Sequence, residues 1–202
     1  MTIEMDDLLN SIMESLDRID YIKPEDIPNI DLYMDQVTTF MDKKLKSSAR
    51  NPEEDKILTK TMINNYAKNH LLPSPERKKY SKEHIFLLVF IYYFKSILSI
   101  GDIQSLLSPL MEKYYKVEDG LRLEDIYDEV FCLESEEVKC LGEDITRKFK
   151  IAQDTFEGAD EESADFLRQF TFICLLSFDV YTKKLLIEKL IDGMKGAKDD
   201  VK

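Results

Sequence analysis

Residues 56–101 carry eight basic and two acidic side chains, although the chain as a whole has a formal charge of −12. The flanking stretches are acidic, at −8 for 1–55 and −10 for 102–202. Within the basic segment Lys60, Thr61, Asn64, Asn65 and Lys68 share one arc of a helical projection. Asn can pair with adenine N6 and N7, and Lys can reach guanine O6 and N7 or a phosphate. Arg77, Lys78 and Lys79 follow as an uninterrupted triplet that can neutralise backbone phosphates. Tyr80 adds a ring that can pack and a hydroxyl that can meet a phosphate. Local field rather than net charge steers a polyanion, so double-stranded DNA is the partner this pattern points to. A solvated basic face docking on the chain's own acidic parts explains the charge alone equally well.

Other chemistries find less support. The chain has three cysteines and two histidines, and no pair of them has zinc-ligand spacing, so no metal site is expected. Cys132, Cys140 and Cys174 are expected as buried free thiols in a reducing compartment. The acid pairs Glu53-Glu54, Glu136-Glu137 and Glu161-Glu162 each sit where a helix start or a solvated face accounts for them. No Gly-rich phosphate loop and no Gly-x-Ser-x-Gly occur, and no catalytic residue or cofactor is indicated.

The elements that would hold the basic residues read as helices. Six Gly and six Pro leave too few turn residues for a many-stranded sandwich. A first helix is predicted from about Ile3 to Ile19, with Leu8, Leu9, Ile12, Met13, Leu16 and Ile19 at helical spacing. Tyr21–Asn29 holds two prolines and reads as an extended connector. Asp31 can cap a second helix carrying Leu32, Val37, Met41 and Leu45. Asn51-Pro52 reads as a cap followed by an N1 proline. Thr59 offers a fresh cap, and a helix restarting there, held inward by Met62, Ile63 and Tyr66, is preferred to one helix over 52–69. Leu71–Tyr80 contains two prolines and should form a short extended loop or small hairpin. Ser81 caps a helix whose body, Ile85–Leu98, is apolar on nearly every side and should be buried. Ser99 opens another helix, which Pro109 should kink or end. Amphipathic patterns continue at about 123–133, 137–157 and 161–194. The last has Phe166, Phe170, Ile173, Leu176, Val180, Leu186, Leu190 and Met194 on its apolar side, forming a spine or a dimer surface.

The stretch Thr59-Lys-Thr-Met-Ile-Asn-Asn-Tyr-Ala-Lys-Asn-His-Leu-Leu-Pro73 resembles the recognition helix and its exit in MerR-like winged helix-turn-helix domains. Tyr80-Ser81-Lys-Glu-His84 resembles the end of that family's wing and the Ser-capped helix beyond it. Ser99-Ile-Gly-Asp-Ile103-Gln-Ser-Leu106-Leu107 resembles the helix that follows. More closely, Ile27–Leu107 is similar to the domain of unknown function 1836 family, whose signature Leu-Thr-Lys-Thr-Met-Ile-Asn-Asn-Tyr stands here at Leu58–Tyr66. That family has no established activity. Asn64-Asn65-Tyr66 replaces the MerR-type Arg-Tyr-Tyr, His70 replaces a glycine, and the wing, Pro73–Tyr80, is short. The resemblance implies that the exposed face of 60–68 enters a DNA groove and that 77–79 lies on the backbone.

The expectation is an all-α protein: a MerR-like winged helix-turn-helix domain with a short wing over 1–107, then a helical-bundle regulatory or dimerisation domain over 108–195. The tail 196–202 is expected to be disordered. Function would be sequence-specific transcriptional regulation without enzymatic activity, with a homodimer formed through the C-terminal helices. A non-enzymatic adaptor that keeps the winged fold for protein contact is the alternative. The N-terminus lacks the basic region of a signal peptide, and the apolar runs Ile85–Phe94 and Phe170–Phe178 fall short of the roughly 20 residues a membrane span needs. A cytoplasmic location is therefore expected, with no membrane contact. The Phe170–Phe178 run could hold a small apolar effector, but a plain core explains it as well.

Overall fold

The computed structural model describes residues 5–16, 21–51 and 53–199, and is mostly helical with two short strands. The helices are α1 (Met5–Leu16), α2 (Met34–Leu45), α3 (Lys60–Lys68), α4 (Lys82–Phe94), α5 (Ile100–Tyr114), α6 (Leu123–Phe131), α7 (Glu134–Gln153) and α8 (Glu161–Asp199). The strands are β1 (Leu32–Tyr33) and β2 (Lys79–Tyr80). Of the expected first helix, Ile3 and residues 17–20, Ile19 included, lie outside the described residues, as do Pro52 and residues 200–202.

Two compact units result, and they divide the chain elsewhere than at 107/108. One comprises residues 21–132 and 188–202, the other 1–20 and 133–187. The first unit is organised on α4, in which every residue from His84 to Ile91 is buried. An amphipathic helix would leave one side of that run in water, so neighbours must cover α4 all round. α6 supplies one of them. Tyr127 is fully buried, with its ring centroid 4.5 Å from those of Phe86 and Phe131. The Tyr127 hydroxyl donates to the Ile22 carbonyl at 2.6 Å and so ties the start of the unit to α6. This aromatic packing is why residues beyond 107 belong with α4.

Caps set the helix starts largely as the sequence implies. Thr59 Oγ1 accepts from the Met62 amide at 3.1 Å, and α3 begins afresh at Lys60. Ser99 Oγ accepts from the Asp102 amide, again at 3.1 Å. α5 is not ended by Pro109 but runs through it to Tyr114. Asp31 is not the cap of α2. Residues 32–33 are drawn into a strand, and α2 starts after Tyr33, whose amide donates to Gln36 Oε1 at 2.8 Å.

α3 closes on a left-handed residue, His70, with φ of 56°. The Leu71 amide donates to the Tyr66 carbonyl and the His70 amide to the Ala67 carbonyl, so the last turn is satisfied. A side chain with a Cβ pays for this conformation, and glycine does not. His70→Gly is therefore expected to stabilise the unit by about 1 kcal/mol, read as a higher denaturation midpoint in urea. An unchanged or lower midpoint would show that the His70 ring contributes more than its backbone costs.

The second unit contains α1, α7 and the 161–187 stretch of α8. Ile145, Phe149, Ala152 and Phe172 form its core, with Leu9, Ile12, Leu16, Leu175 and Leu176 packed against it. α1 thus serves this core rather than the unit that follows it in sequence. Phe149 and Phe172 meet edge to face at 5.5 Å. Lys148, 7 % exposed, donates to both Asp144 and Asp179 and so joins α7 to α8. Lys148 first, and Arg147 second, pull the Asp144 carboxyl down to a pKa of about 2. Cys132 and Cys140 are exposed and only Cys174 is partly covered, so the thiols are not the buried set the sequence suggested. Among the described residues no helix is long and apolar enough to cross a membrane.

Candidate nucleic-acid interface

α3 is a nine-residue amphipathic helix. Ile63 and Tyr66 are buried beneath it and Met62 is half-buried, so the inner face is the one its periodicity implies. Lys60, Thr61, Asn64, Asn65 and Lys68 are all exposed. α3 itself carries no acidic side chain. Asparagine is a poor helix former, so the Asn64–Asn65 pair weakens a face that Glu and Lys would solvate at lower cost. Lys60 is already engaged with Asp35 of α2, although both remain largely in water. Thr38, Thr39 and Asp42 of α2, with Lys56, Lys60 and Thr61, line a groove of about 500 Å³ at the head of α3.

The basic triplet lies on a hairpin, and its three members fare differently. Glu76 bridges Lys79, whose amide donates to the Glu76 carbonyl at 2.8 Å. Between them Arg77 and Lys78 form a two-residue turn with φ of 50° and 65°. Two successive left-handed residues define a type I′ turn, which normally selects Asn-Gly because side chains with a Cβ resist it. Both side chains are exposed at the tip. Lys79 is half-buried, with its ammonium 5.3 Å from the centroid of the Tyr33 ring. β2 pairs antiparallel with β1, Leu32 opposite Tyr80 and Tyr33 opposite Lys79.

Tyr80 is not a surface contact. It is 3 % exposed, its ring meets His84 edge-on, and burial raises its hydroxyl pKa. Its part is to seat the hairpin on α4. The structure also adds residues that the basic pattern did not single out: Tyr33 beneath Lys79, Asp35 against Lys60, and the Glu76–Lys116 pair at 2.5 Å. None of these was singled out in the sequence, because each pairing is set by a tertiary contact rather than by local spacing. Among the described residues no three His, Cys, Asp or Glu stand together as a metal-binding group.

No curated protein and no solved structure matches the chain. A family model described as "Domain of unknown function (DUF1836)" matches residues 22–130, more than half of the sequence. The match ends within two residues of either end of the chain segment 21–132 that folds around α4, so the matched stretch takes in Tyr127 and α6 as far as Val130. The chain belongs to the domain of unknown function 1836 family.

Proposed function

We propose that residues 21–132 form a MerR-like winged helix-turn-helix module that reads double-stranded DNA and regulates transcription. α3 enters the major groove, and the Arg77–Lys78 tip lies on the flanking backbone. The observation that carries this reading is the pairing of two exposed features in one acidic protein. One is a short capped helix presenting amides, a hydroxyl and lysines without an acid, and the other is a strained basic hairpin. The order strand, helix, capped helix, hairpin strand and Ser-capped helix supports it as well. The acidic remainder repels DNA elsewhere and confines contact to one face.

The test is a selection of fragmented genomic DNA and a random duplex library on the full chain at about 150 mM salt, with Asn64→Ala/Asn65→Ala beside it. The wild type is expected to enrich one motif, and the double variant to bind without preference. Equal enrichment by both would remove α3 from the groove. The Lys60–Asp35 pair favours a second reading, in which the module contacts protein. DNA binding should weaken steeply between about 50 and 200 mM salt, whereas an apolar protein contact should hardly change.

A homodimer is part of the proposal, since helix-turn-helix proteins commonly read two half-sites. Phe166, Phe170, Ile173 and Val180 recur at spacings of three, four and seven on α8, each at least 54 % exposed. Such a stripe is unusual on a monomer. Ile173→Glu is expected to convert a dimer into a monomer in sedimentation, with no loss of helical content. A wild-type monomer at micromolar concentration would refute this part.

A further inference from the structure

The C-terminal end of the hairpin of residues 73–80 is held by one imidazole. His84 is 1 % exposed and stands in the first turn of α4. The Ser81 amide donates to its Nδ1 at 3.0 Å, which requires that nitrogen to be unprotonated. A neutral imidazole whose Nδ1 accepts carries its proton on Nε2. The bond therefore fixes the Nε2–H form and anchors the ring on the residue that follows β2 and caps α4. At an N3 position a Glu or Gln would ordinarily cap the helix. An imidazole in that place makes the cap titratable.

The surroundings oppose a charge on this ring. Burial is the largest cause and pushes its pKa below the usual histidine value, and Lys116 at the end of α5 adds repulsion. The Pro73 backbone and the carboxylates of Glu83 on α4 and Asp31 ahead of β1 act the other way and are outweighed. Glu76, facing it from the hairpin, is engaged by Lys116. Tyr80 of β2 and Tyr115 cover the ring edge-on, with the Tyr115 hydroxyl 3.2 Å from both nitrogens. Lys79 of β2 turns instead to Tyr33.

We propose that His84 is the positioning residue of the hairpin, and that protonating it releases the Arg77–Lys78 tip. A proton on Nδ1 sets N–H against the Ser81 N–H, so the seat must open for the charge to be accommodated. The sign follows from linkage. With the folded pKa below the unfolded value near 6.5, the seat keeps its full stability above that pH and loses it as pH falls. Each unit between the two pKa values is worth about a tenfold change in the opening equilibrium. The seat stands without the DNA reading; its bearing on DNA contact rests on that reading.

The experiment uses the full chain without DNA. Nitrogen-15 spectra of the imidazoles, with His70→Gly to assign the two histidines, should show His84 as the Nε2–H tautomer at pH 7.5. Hydrogen exchange of the amides of Ser74 and residues 76–80, corrected for its intrinsic pH dependence, should accelerate about tenfold between pH 7.5 and 5.5. In His84→Gln, which still caps Ser81 but cannot titrate, that pH dependence should vanish. An Nδ1–H tautomer in the wild type overturns the proposal, as does pH-dependent exchange that persists in His84→Gln. Should His84→Gln not fold, the wild-type tautomer and exchange decide the matter alone. Binding of random duplex at pH 7.5 and 5.5 then separates the two ideas. A hairpin that opens with acid in a protein that binds no DNA at either pH keeps the seat and removes the DNA reading.

Discussion

Tyr127→Ala is expected to cost about 3–5 kcal/mol and to unfold residues 21–132 in part or whole at ambient temperature. Two losses combine. Removing a fully buried ring that touches Phe86, Phe90 and Phe131 leaves a cavity that α4 and α6 cannot close without moving. Removing the hydroxyl takes away the buried donor to the Ile22 carbonyl. Tyr127→Phe isolates the second loss and should cost about 1–2 kcal/mol. Urea denaturation followed by circular dichroism separates these outcomes. Near-equal costs for Phe and Ala would mean that the ring packs loosely and that the hydroxyl alone matters. The same reasoning predicts that a fragment ending at residue 107 lacks the cover of Phe86 and Phe90 and does not fold as a module.

Tyr127 also shows where the sequence stopped being informative. Features set within a few residues were legible: the Thr59 and Ser99 caps, the inward face of Met62, Ile63 and Tyr66, and the all-round burial of α4 from His84 to Ile91, although the helix expected to reach Leu98 stops at Phe94 and residues 92–97 are not buried. Each follows from local hydrogen bonding or helical period. The partner of a face was not legible, because periodicity marks an apolar side without naming what covers it. Leu9, Ile12 and Leu16 read as the inner side of a first helix, yet they pack on Ile145, Phe149 and Phe172, more than 120 residues away. Leu32–Tyr33 is a strand too short to show a period of two, and Asp31 before it resembles a helix cap. At the candidate interface the same division holds. The exposed set on α3 came from local spacing, whereas the burial of Tyr80 depends on His84 and on the β1 pairing. Arg77 and Lys78 signalled charge but not backbone, since a type I′ turn ordinarily announces itself with Asn and Gly.

That mismatch between residue and conformation yields the second large effect. Arg77→Asn with Lys78→Gly supplies the residues a type I′ turn prefers, at two positions now held at φ of 50° and 65°. Relief of left-handed strain at both should stabilise the unit by about 1–2 kcal/mol. The same exchange removes two exposed cations from the hairpin tip. If the tip lies on the DNA backbone, binding to all sequences should weaken alike, and the log–log salt slope should fall in magnitude by about 2. One variant is thus expected to move stability and DNA affinity in opposite directions. That combination would mean that Arg77 and Lys78 serve contact at a cost to folding. Denaturation midpoints and binding titrations at two salt concentrations read both quantities on one preparation. A loss of stability would refute the turn. A gain in stability with unchanged affinity and slope would leave the hairpin folded but off the DNA, and α3 would then have to carry recognition alone.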